Sequence, residues 1–321
     1  MTVAAPGIDA EIPWHFGDPL REQRVLVTRA GVVDRSNRDV LQVGGPERLP
    51  WLHSICSQYV SNLADGDTTE ALVLSPNGHV EQHWQVAELG GTVWIDTEPG
   101  AAPEVLGYLQ KMIFMKRVEP ADVSTDWAVL SVLGPATDTV LAAADLPVPV
   151  VGAVPLDGGF VRRRTDGVDL LVPRAGKDAM LTRLQSAGAE PAGSWAYEAL
   201  RVEARRPRLG FETDHRTIPH EIGFIGTAVH LEKGCYRGQE TVARVHNLGK
   251  PPRRMVLLHL AGESDELPAP GTPVEFAGRT VGFLGTAAHH FELGPVALAV
   301  IKRSLPDDTA LTVDGSPVAI D

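Results

Sequence analysis

Residues 233–240 read Lys-Gly-Cys-Tyr-Arg-Gly-Gln-Glu, and residues 241–247 continue as Thr-Val-Ala-Arg-Val-His-Asn. Two glycines flank a single cysteine, so the backbone can turn tightly there or approach a ligand closely. From Glu240 onward the residues predict a short helix, with Gly249 as its C-terminal stop. The stretch therefore predicts a tight loop that leads directly into a helix.

Cys235 lies in this loop, ahead of the predicted helix. Unpaired backbone N–H groups and the helix dipole favour negative charge at such a position. Lys233 and Arg237 flank the cysteine. Cationic neighbours beside a helix N-terminus are typical of a reactive thiolate. The sequence therefore predicts a functional thiol at Cys235.

The same segment is basic, although the chain as a whole is acidic. Between Lys233 and Arg254 there are six Lys or Arg residues and one acidic residue, in a chain of net charge −12. A local excess of this kind indicates a bound anion rather than broad nucleic-acid binding. A solvated charged surface is the alternative interpretation.

Length and composition set further limits. A chain of 321 residues predicts two or three domains. Cys56 and Cys235 form no CxxC pair, which argues against a structural zinc site and for a reducing, cytoplasmic setting. The N-terminal residues include Asp9 and Glu11 where a signal peptide needs an apolar run. No apolar stretch approaches the ~18 residues of a membrane span, so no membrane association is expected.

The order of predicted elements indicates an α+β fold. We predict an N-terminal arm (1–23), a first ferredoxin-like subdomain (24–133), a second one that carries the motif (134–250) and a C-terminal β-barrel (251–321). Within the first subdomain, the alternation in Arg24–Thr28 predicts a strand. Cys56 falls on the apolar side of a predicted helix, as a small buried hydrophobic residue.

With these pieces in place, the chain resembles the YgfZ group of folate-binding proteins, within the superfamily of the glycine-cleavage T-protein (aminomethyltransferase). Residues 233–240 carry the group's K-G-C-Y-x-G-Q-E signature unbroken. Broader superfamily features follow in the expected order along the chain: Gly31-Val-Val-Asp34-Arg-Ser36, Leu74-Ser-Pro-Asn-Gly78, Gly134-Pro135-Ala136, Leu200-Arg201-Val-Glu203-Ala204 and Ile218-Pro-His-Glu221.

The resemblance implies a ring of two ferredoxin-like subdomains and a β-barrel around a central channel. The implied cofactor is tetrahydrofolate or a one-carbon derivative, with a transient iron–sulfur cluster. The implied role is support of the assembly or repair of iron–sulfur enzymes, including tRNA-modifying ones. Its partners would be folate and iron–sulfur assembly proteins or client enzymes, with no direct nucleic-acid contact. In this reading the chain is an accessory factor rather than an aminomethyltransferase.

Roles carry over residue by residue. Cys235 is implied to contact a cluster, a partner or a reactive one-carbon species. Lys233 and Arg237 are implied to stabilise the thiolate or to bind the glutamate carboxylates of folate. Glu221 matches a carboxylate that contacts the pterin, and Arg244 is a further candidate for the folate tail. The remaining members of the implied motif are Gly234, Tyr236, Gly238, Gln239 and Glu240.

Two other functions stay open on the sequence. The first is a folate-dependent aminomethyltransferase or another one-carbon transferase of the T-protein type. The T-protein uses an aspartate within an Asn-Ala stretch that is missing here, although Asp96 and Glu104 are stand-ins for it. The T-protein also lacks the signature cysteine. The second is a cysteine hydrolase, in which a histidine acts as the base. Its candidate bases are His220, His230 and His246.

Overall fold

A computed structural model describes residues 2–261 and 266–321 as a mixed α+β protein. Its contacts divide the chain into two units. The first unit contains the residues up to Ala71 together with His83–Tyr197, and the second contains Leu72–Gln82 together with Glu198–Asp321. The motif loop at 233–240 therefore belongs to the second unit, as does the hairpin turn within 72–82.

The described helices are α1 (Pro19–Thr28), α2 (Arg48–Ile55), α3 (Ala102–Lys111), α4 (Thr137–Ala143), α5 (Lys177–Ser186), α6 (Ser194–Glu203) and α7 (Gln239–Leu248). Short 3-10 turns span Gly7–Asp9, Arg174–Gly176 and Pro219–Glu221. The strands are β1 (Val3–Ala4), β2 (Pro13–His15), β3 (Gly31–Asp34), β4 (Asp39–Gly44), β5 (Thr68–Leu74), β6 (Val80–Leu89), β7 (Thr92–Thr97), β8 (Glu119–Asp122), β9 (Trp127–Leu133), β10 (Ala153–Leu156), β11 (Gly159–Arg164), β12 (Gly167–Pro173), β13 (Glu190–Ala192), β14 (Arg253–Leu260), β15 (Pro273–Phe276), β16 (Arg279–His290), β17 (Gly294–Lys302), β18 (Leu311–Val313) and β19 (Ser316–Ile320).

Two sheets lie mainly in the first unit, although the end of β5 and the start of β6 belong to the second. One has the strand order β10-β11-β12-β9-β3-β13, and the other has the order β5-β6-β7-β4-β8. β9 is almost entirely buried, as expected for a central strand with both faces covered. β3 precedes residue 134 but pairs with β13, which follows it, so the six-stranded sheet contains strands from both sides of that residue.

The core of the first unit lies on both faces of the six-stranded sheet. On one face Leu130 and Leu170 pack with Leu141 of α4 and Leu184 of α5. On the other face Val129, Phe160 and Leu171 pack against Val40 and Ala87 of the second sheet. Burial of these side chains supplies the main driving force for this packing.

Arg24–Thr28 is helical, so the strand predicted there is wrong. These residues form the last turns of α1, which begins at Pro19 after an N-cap in which the Asp18 side chain accepts a hydrogen bond from the Arg21 N–H. Val25 and Leu26 are adjacent and both buried, which fits a helix face and not an alternating strand. Five residues are too few to separate these two periods.

The second unit contains the β-barrel that the sequence predicts. Its strands close in the order β14-β17-β16-β15-β18-β19 around a core that includes Leu258, Leu284 and Ile301. The helix predicted after the motif is α7, and the Gly249 N–H caps it by donating to the Val245 carbonyl at 3.3 Å. The prediction that Cys56 is buried is also confirmed.

Among the described residues, each helix is too short or too polar to cross a membrane.

Candidate functional site

The motif loop holds its cysteine outward between two left-handed glycines. Gly234 has a φ of +91° and Gly238 a φ of +83°, a region that favours glycine. The Cys235 side chain between them is exposed. Tyr236 points inward and packs with Val242 and Ile222 in the core of the second unit. The loop therefore presents a thiol to solvent while its tyrosine anchors it.

Gly238 is in close backbone contact with the hairpin turn at 75–78. A Cβ atom on Gly238 would lie 2.6 Å from the Ser75 carbonyl oxygen and 2.8 Å from the Gly78 Cα. A Cβ atom on Gly78 would likewise lie 2.7 Å from the Cβ of Thr241. Nearby, Arg237 donates a hydrogen bond to Glu81 at 3.0 Å. Leu74-Ser-Pro-Asn-Gly78 and the motif therefore form one packed structure in the second unit.

This contact predicts that alanine substitution lowers the free energy of unfolding by different amounts at the two motif glycines. In Gly234→Ala the new Cβ meets nothing within 4 Å, so only the left-handed backbone opposes it, at about 1 kcal/mol. In Gly238→Ala the same backbone cost is joined by clashes with backbone atoms, and we expect a total loss of about 3 kcal/mol. Urea unfolding followed by circular dichroism compares the two variants. Equal losses would contradict the close packing.

Lys233 and Arg237 each contact a group other than the thiol. Lys233 is buried, and its Nζ lies 5.0 Å from the centroid of the Tyr236 ring, within range of a cation–π interaction. The Arg237 guanidinium is paired with Glu81. The roles predicted for the two cations, toward the thiolate or toward folate carboxylates, stay predictions.

The hydroxyl of Tyr236 is buried and, within residues 2–261 and 266–321, has no hydrogen-bond partner. Burial raises the pKa of this phenol to about 12, so it is protonated at neutral pH. A buried hydroxyl without a partner is uncommon because it loses hydrogen bonds to water. It is therefore a donor available beneath the loop that carries Cys235.

Glu221 is buried and held by an arginine that the resemblance did not single out. Arg253 donates from Nε to one carboxylate oxygen at 2.9 Å and from Nη2 to the other at 2.8 Å. The Ile218 N–H also donates to Glu221, at 3.1 Å, and fixes the 3-10 turn that Pro219 begins. Arg253 also pairs with Asp214 at 2.7 Å. A bidentate arginine of this kind holds a carboxylate in one orientation.

Burial disfavours the ionised form of Asp214, but hydrogen bonds from Arg253 and Thr217 outweigh it, and the pKa of Asp214 is well below its usual range. The neighbouring His220 has its pKa lowered by burial and by the nearby His246. Both His220 ring nitrogens are buried and lack a partner in the described part of the chain. Glu221 opposes this shift only in part, so the environment of His220 favours its neutral form.

Within the described residues, the histidines proposed as hydrolase bases form no hydrogen bond with the thiol. His246 is exposed, and its ring centroid lies 6.3 Å from that of His220. The Nδ1 of His230 accepts a hydrogen bond from the Glu232 N–H. Over the described ranges no hydrogen bond joins Cys235 to a histidine, which is the contact that an activated cysteine nucleophile uses.

Other motif residues lie on or near α7. Gln239 and Glu240 form its first turn, and Arg244 is exposed on its surface. The superfamily segment at 200–204 instead places Arg201 in a buried cluster, where it pairs with Glu198 at 2.8 Å and Glu212 at 3.1 Å. Arg201 therefore has a structural role.

Asp96 belongs to a buried ion cluster in the first unit. It accepts from the Nε of Arg38 at 2.7 Å and from Nη1 of Arg162 at 2.6 Å, and Arg162 reaches Asp169 at 2.7 Å. Burial disfavours the ionised form of Asp96, but the charges of Arg162 and Arg38 outweigh it and lower its pKa. Both oxygens of Asp96 are therefore engaged, whereas Glu104 is exposed in the first turn of α3.

Three comparisons with known proteins bear on this site. Residues 5–148 match the family model described as the GCVT N-terminal domain. An aminomethyltransferase of Symbiobacterium thermophilum is 28% identical over 87% of this chain and 80% of its own length. An aminomethyltransferase of Rubrobacter xylanophilus is 27% identical over 96% of this chain and 86% of its own length. These matches support the T-protein superfamily.

A third relative and a solved structure extend the comparison. The putative chloroplastic transferase At1g60990 of Arabidopsis thaliana is 25% identical over 82% of this chain, which spans only 64% of that protein's length. The crystal structure of glycine cleavage system aminomethyltransferase T from Bartonella henselae superposes with a TM-score of 0.88 at 19% identity, over 99% of this chain and 92% of that one. The T-protein-like fold and the C-terminal barrel confirm the predicted fold class.

Proposed function

We propose that this protein binds tetrahydrofolate and acts as a folate-dependent one-carbon transferase of the T-protein type. The observation that carries the proposal is the alignment of proteins named aminomethyltransferase over 87% and 96% of the chain. When bound, tetrahydrofolate supplies a nitrogen that accepts a one-carbon unit. The residues described above suit binding and orientation of such a ligand.

Glu221 is the residue that we assign to the pterin. Its two carboxylate oxygens are acceptors, and the amino-pyrimidine edge of a pterin offers N–H donors. Oε2 of Glu221 already accepts from both Arg253 and the Ile218 N–H. Among the described residues Oε1 accepts from Arg253 alone, and its second lone pair can accept from a ligand. The unpartnered ring nitrogens of the neighbouring His220 add polar capacity beside it. Arg253 would hold the carboxylate in place, and Arg244 is assigned to the folate tail.

The proposal is tested by calorimetric titration with tetrahydrofolate and by an assay of methylenetetrahydrofolate formation from an aminomethyl donor. We expect saturable binding and turnover in the wild type, and binding weakened by about tenfold or more in Glu221→Gln. Glu232→Gln, which neutralises an exposed carboxylate in the same unit, is the matched control. Absence of folate binding, or equal effects in the two variants, would reject the assignment.

A second function is favoured by the exposed thiol. In this alternative the chain is a cytoplasmic, YgfZ-type folate-binding accessory factor for iron–sulfur enzymes, including tRNA-modifying ones, and Cys235 contacts a transient cluster or a partner. Cys235 is exposed in an unbroken signature, whereas Cys56 is buried. A strain carrying Cys235→Ser should then lose iron–sulfur enzyme activity, and the purified protein should bind folate without turnover. If iron–sulfur enzymes in that strain keep full activity and the purified protein still turns over, the accessory role is rejected and only the transferase function remains.

A further inference from the structure

The basic segment from Lys233 to Arg254 does not form one cationic surface. Lys233 is buried against Tyr236, Arg237 is paired with Glu81, and Arg253 is paired with Asp214 and Glu221. These three cations already have partners within the second unit. The end of the segment, at Lys250 and Arg254, lies elsewhere in that unit and is joined by a third cation, Arg303.

Lys250, Arg254 and Arg303 line an open cavity of about 600 Å³ at one end of β14 and β17. Its single carboxylate is Asp307, which pairs with Arg254. Lys250 and Arg303 are exposed, and in the described part of the chain neither has an ion-pair partner. Three cations against one carboxylate leave a local excess of positive charge in a chain of net charge −12.

The cavity wall is fixed by hydrogen bonds and prolines. The Arg303 N–H donates to the Pro252 carbonyl at 2.9 Å. Arg254 Nη2 donates to the Leu305 carbonyl at 3.1 Å as well as to Asp307. Pro251, Pro252 and Pro306 complete the wall, and each restricts the backbone. The cations are therefore presented on a backbone that needs little ordering when a ligand binds.

We propose that this cavity is a binding site for a small oligoanion, with two or more adjacent phosphoryl or carboxylate groups. Arg303 offers a planar fork that matches either group bidentately, and Lys250 adds a point charge. A single monoanion at so open a site gains little against water. Adjacent anionic groups engage both free cations together and gain from both contacts. This inference concerns a surface distinct from Glu221 and Cys235 and does not depend on the function proposed above.

The test is calorimetric titration of the full chain with sodium tripolyphosphate and, separately, with γ-linked triglutamate, at low ionic strength. We expect saturable binding of at least one compound, weakened by about tenfold in the double variant Lys250→Gln/Arg303→Gln. Binding of one compound alone identifies whether the source is phosphoryl or polycarboxylate. The control is Arg216→Gln/Arg279→Gln, which removes the same charge from exposed positions outside the cavity.

All four substituted positions are exposed, so both double variants are expected to fold, and thermal melting verifies this. The site is rejected if neither compound binds saturably to the wild type. It is also rejected if the control variant loses as much affinity as the cavity variant, because net charge would then explain the binding.

Discussion

Arg253→Met is expected to lower the free energy of unfolding of the second unit by about 3–5 kcal/mol. Arg253 holds Glu221 through both oxygens and also pairs with Asp214. Glu221 is 3% exposed, so without Arg253 its charge remains buried and uncompensated. Domains are stable by only about 5–15 kcal/mol, so this is a large fraction of the total.

The adjacent residue provides the control for that variant. Arg254 pairs with the exposed Asp307, and such a pair contributes about 0–1 kcal/mol. All six tryptophans lie in the first unit, so unfolding of the second is better followed by hydrogen exchange of β14. Equal losses in Arg253→Met and Arg254→Met would mean that the Glu221 pair is not a buried structural pair.

The Asp214 pair also predicts a pH dependence. The folded-state pKa of Asp214 is lowered, so its contribution is present above the unfolded pKa of about 3.9 and is lost as pH falls through the folded value. The wild type should therefore lose stability on acidification below about pH 4. Arg253→Met should show a weaker dependence over the same range, because its Asp214 no longer has this partner.

Arg162→Met is the second variant for which we expect a loss of about 3–5 kcal/mol, here in the first unit. Arg162 bridges two buried carboxylates, Asp96 and Asp169. Arg38, Arg35 and Arg164 also contact this cluster and remain in the variant. They offset part of the unpaired charge: Arg164 already lies 3.4 Å from the Asp169 oxygen that Arg162 contacts, whereas Arg38 contacts the other oxygen of Asp96. Two buried carboxylates are then left with fewer hydrogen bonds than the folded state requires.

Tryptophan fluorescence during urea unfolding measures this loss, since every tryptophan belongs to the first unit. Arg163→Met is the control: Arg163 pairs with the exposed Asp138 and donates to the Pro149 carbonyl, and we expect a loss of about 1 kcal/mol. A loss in Arg162→Met as small as that of the control would show that the cluster adds little to stability. If Arg162→Met loses transferase activity together with stability, Asp96 acts on that activity by supporting the fold.

Much of the fold follows from local patterns in the chain. Short runs of β-formers separated by glycines, prolines and aspartates predict the barrel strands, and the residues from Glu240 onward predict α7 with its stop at Gly249. Cys56 is buried, as its position on the apolar side of the predicted helix indicates, although it lies just after the end of α2. The failure at Arg24–Thr28 has a local cause as well, because a five-residue segment at the end of a helix can imitate the alternation of a strand.

The candidate site is harder to derive, since its contacts join residues that are distant along the chain. Arg237 meets Glu81 across 156 positions, and Arg38 meets Asp96 across 58. Arg162 and Asp169 were recoverable in principle, because they face each other in the hairpin of β11 and β12. No comparable signal marks Arg253 as the partner of Glu221.

The order of residues is therefore enough to identify the α+β class, the barrel, and a glycine-flanked cysteine loop that leads into a helix. Each of these depends on backbone preferences and on the spacing of apolar side chains over a few residues. The tertiary structure decides instead which cations stay available to a ligand. A cation is neutralised when folding places a carboxylate or another partner group within a few ångströms of it. Lys250 belongs to the same basic segment as Lys233, Arg237 and Arg253. In the folded protein those three cations contact a tyrosine ring or carboxylates, whereas Lys250 stays exposed.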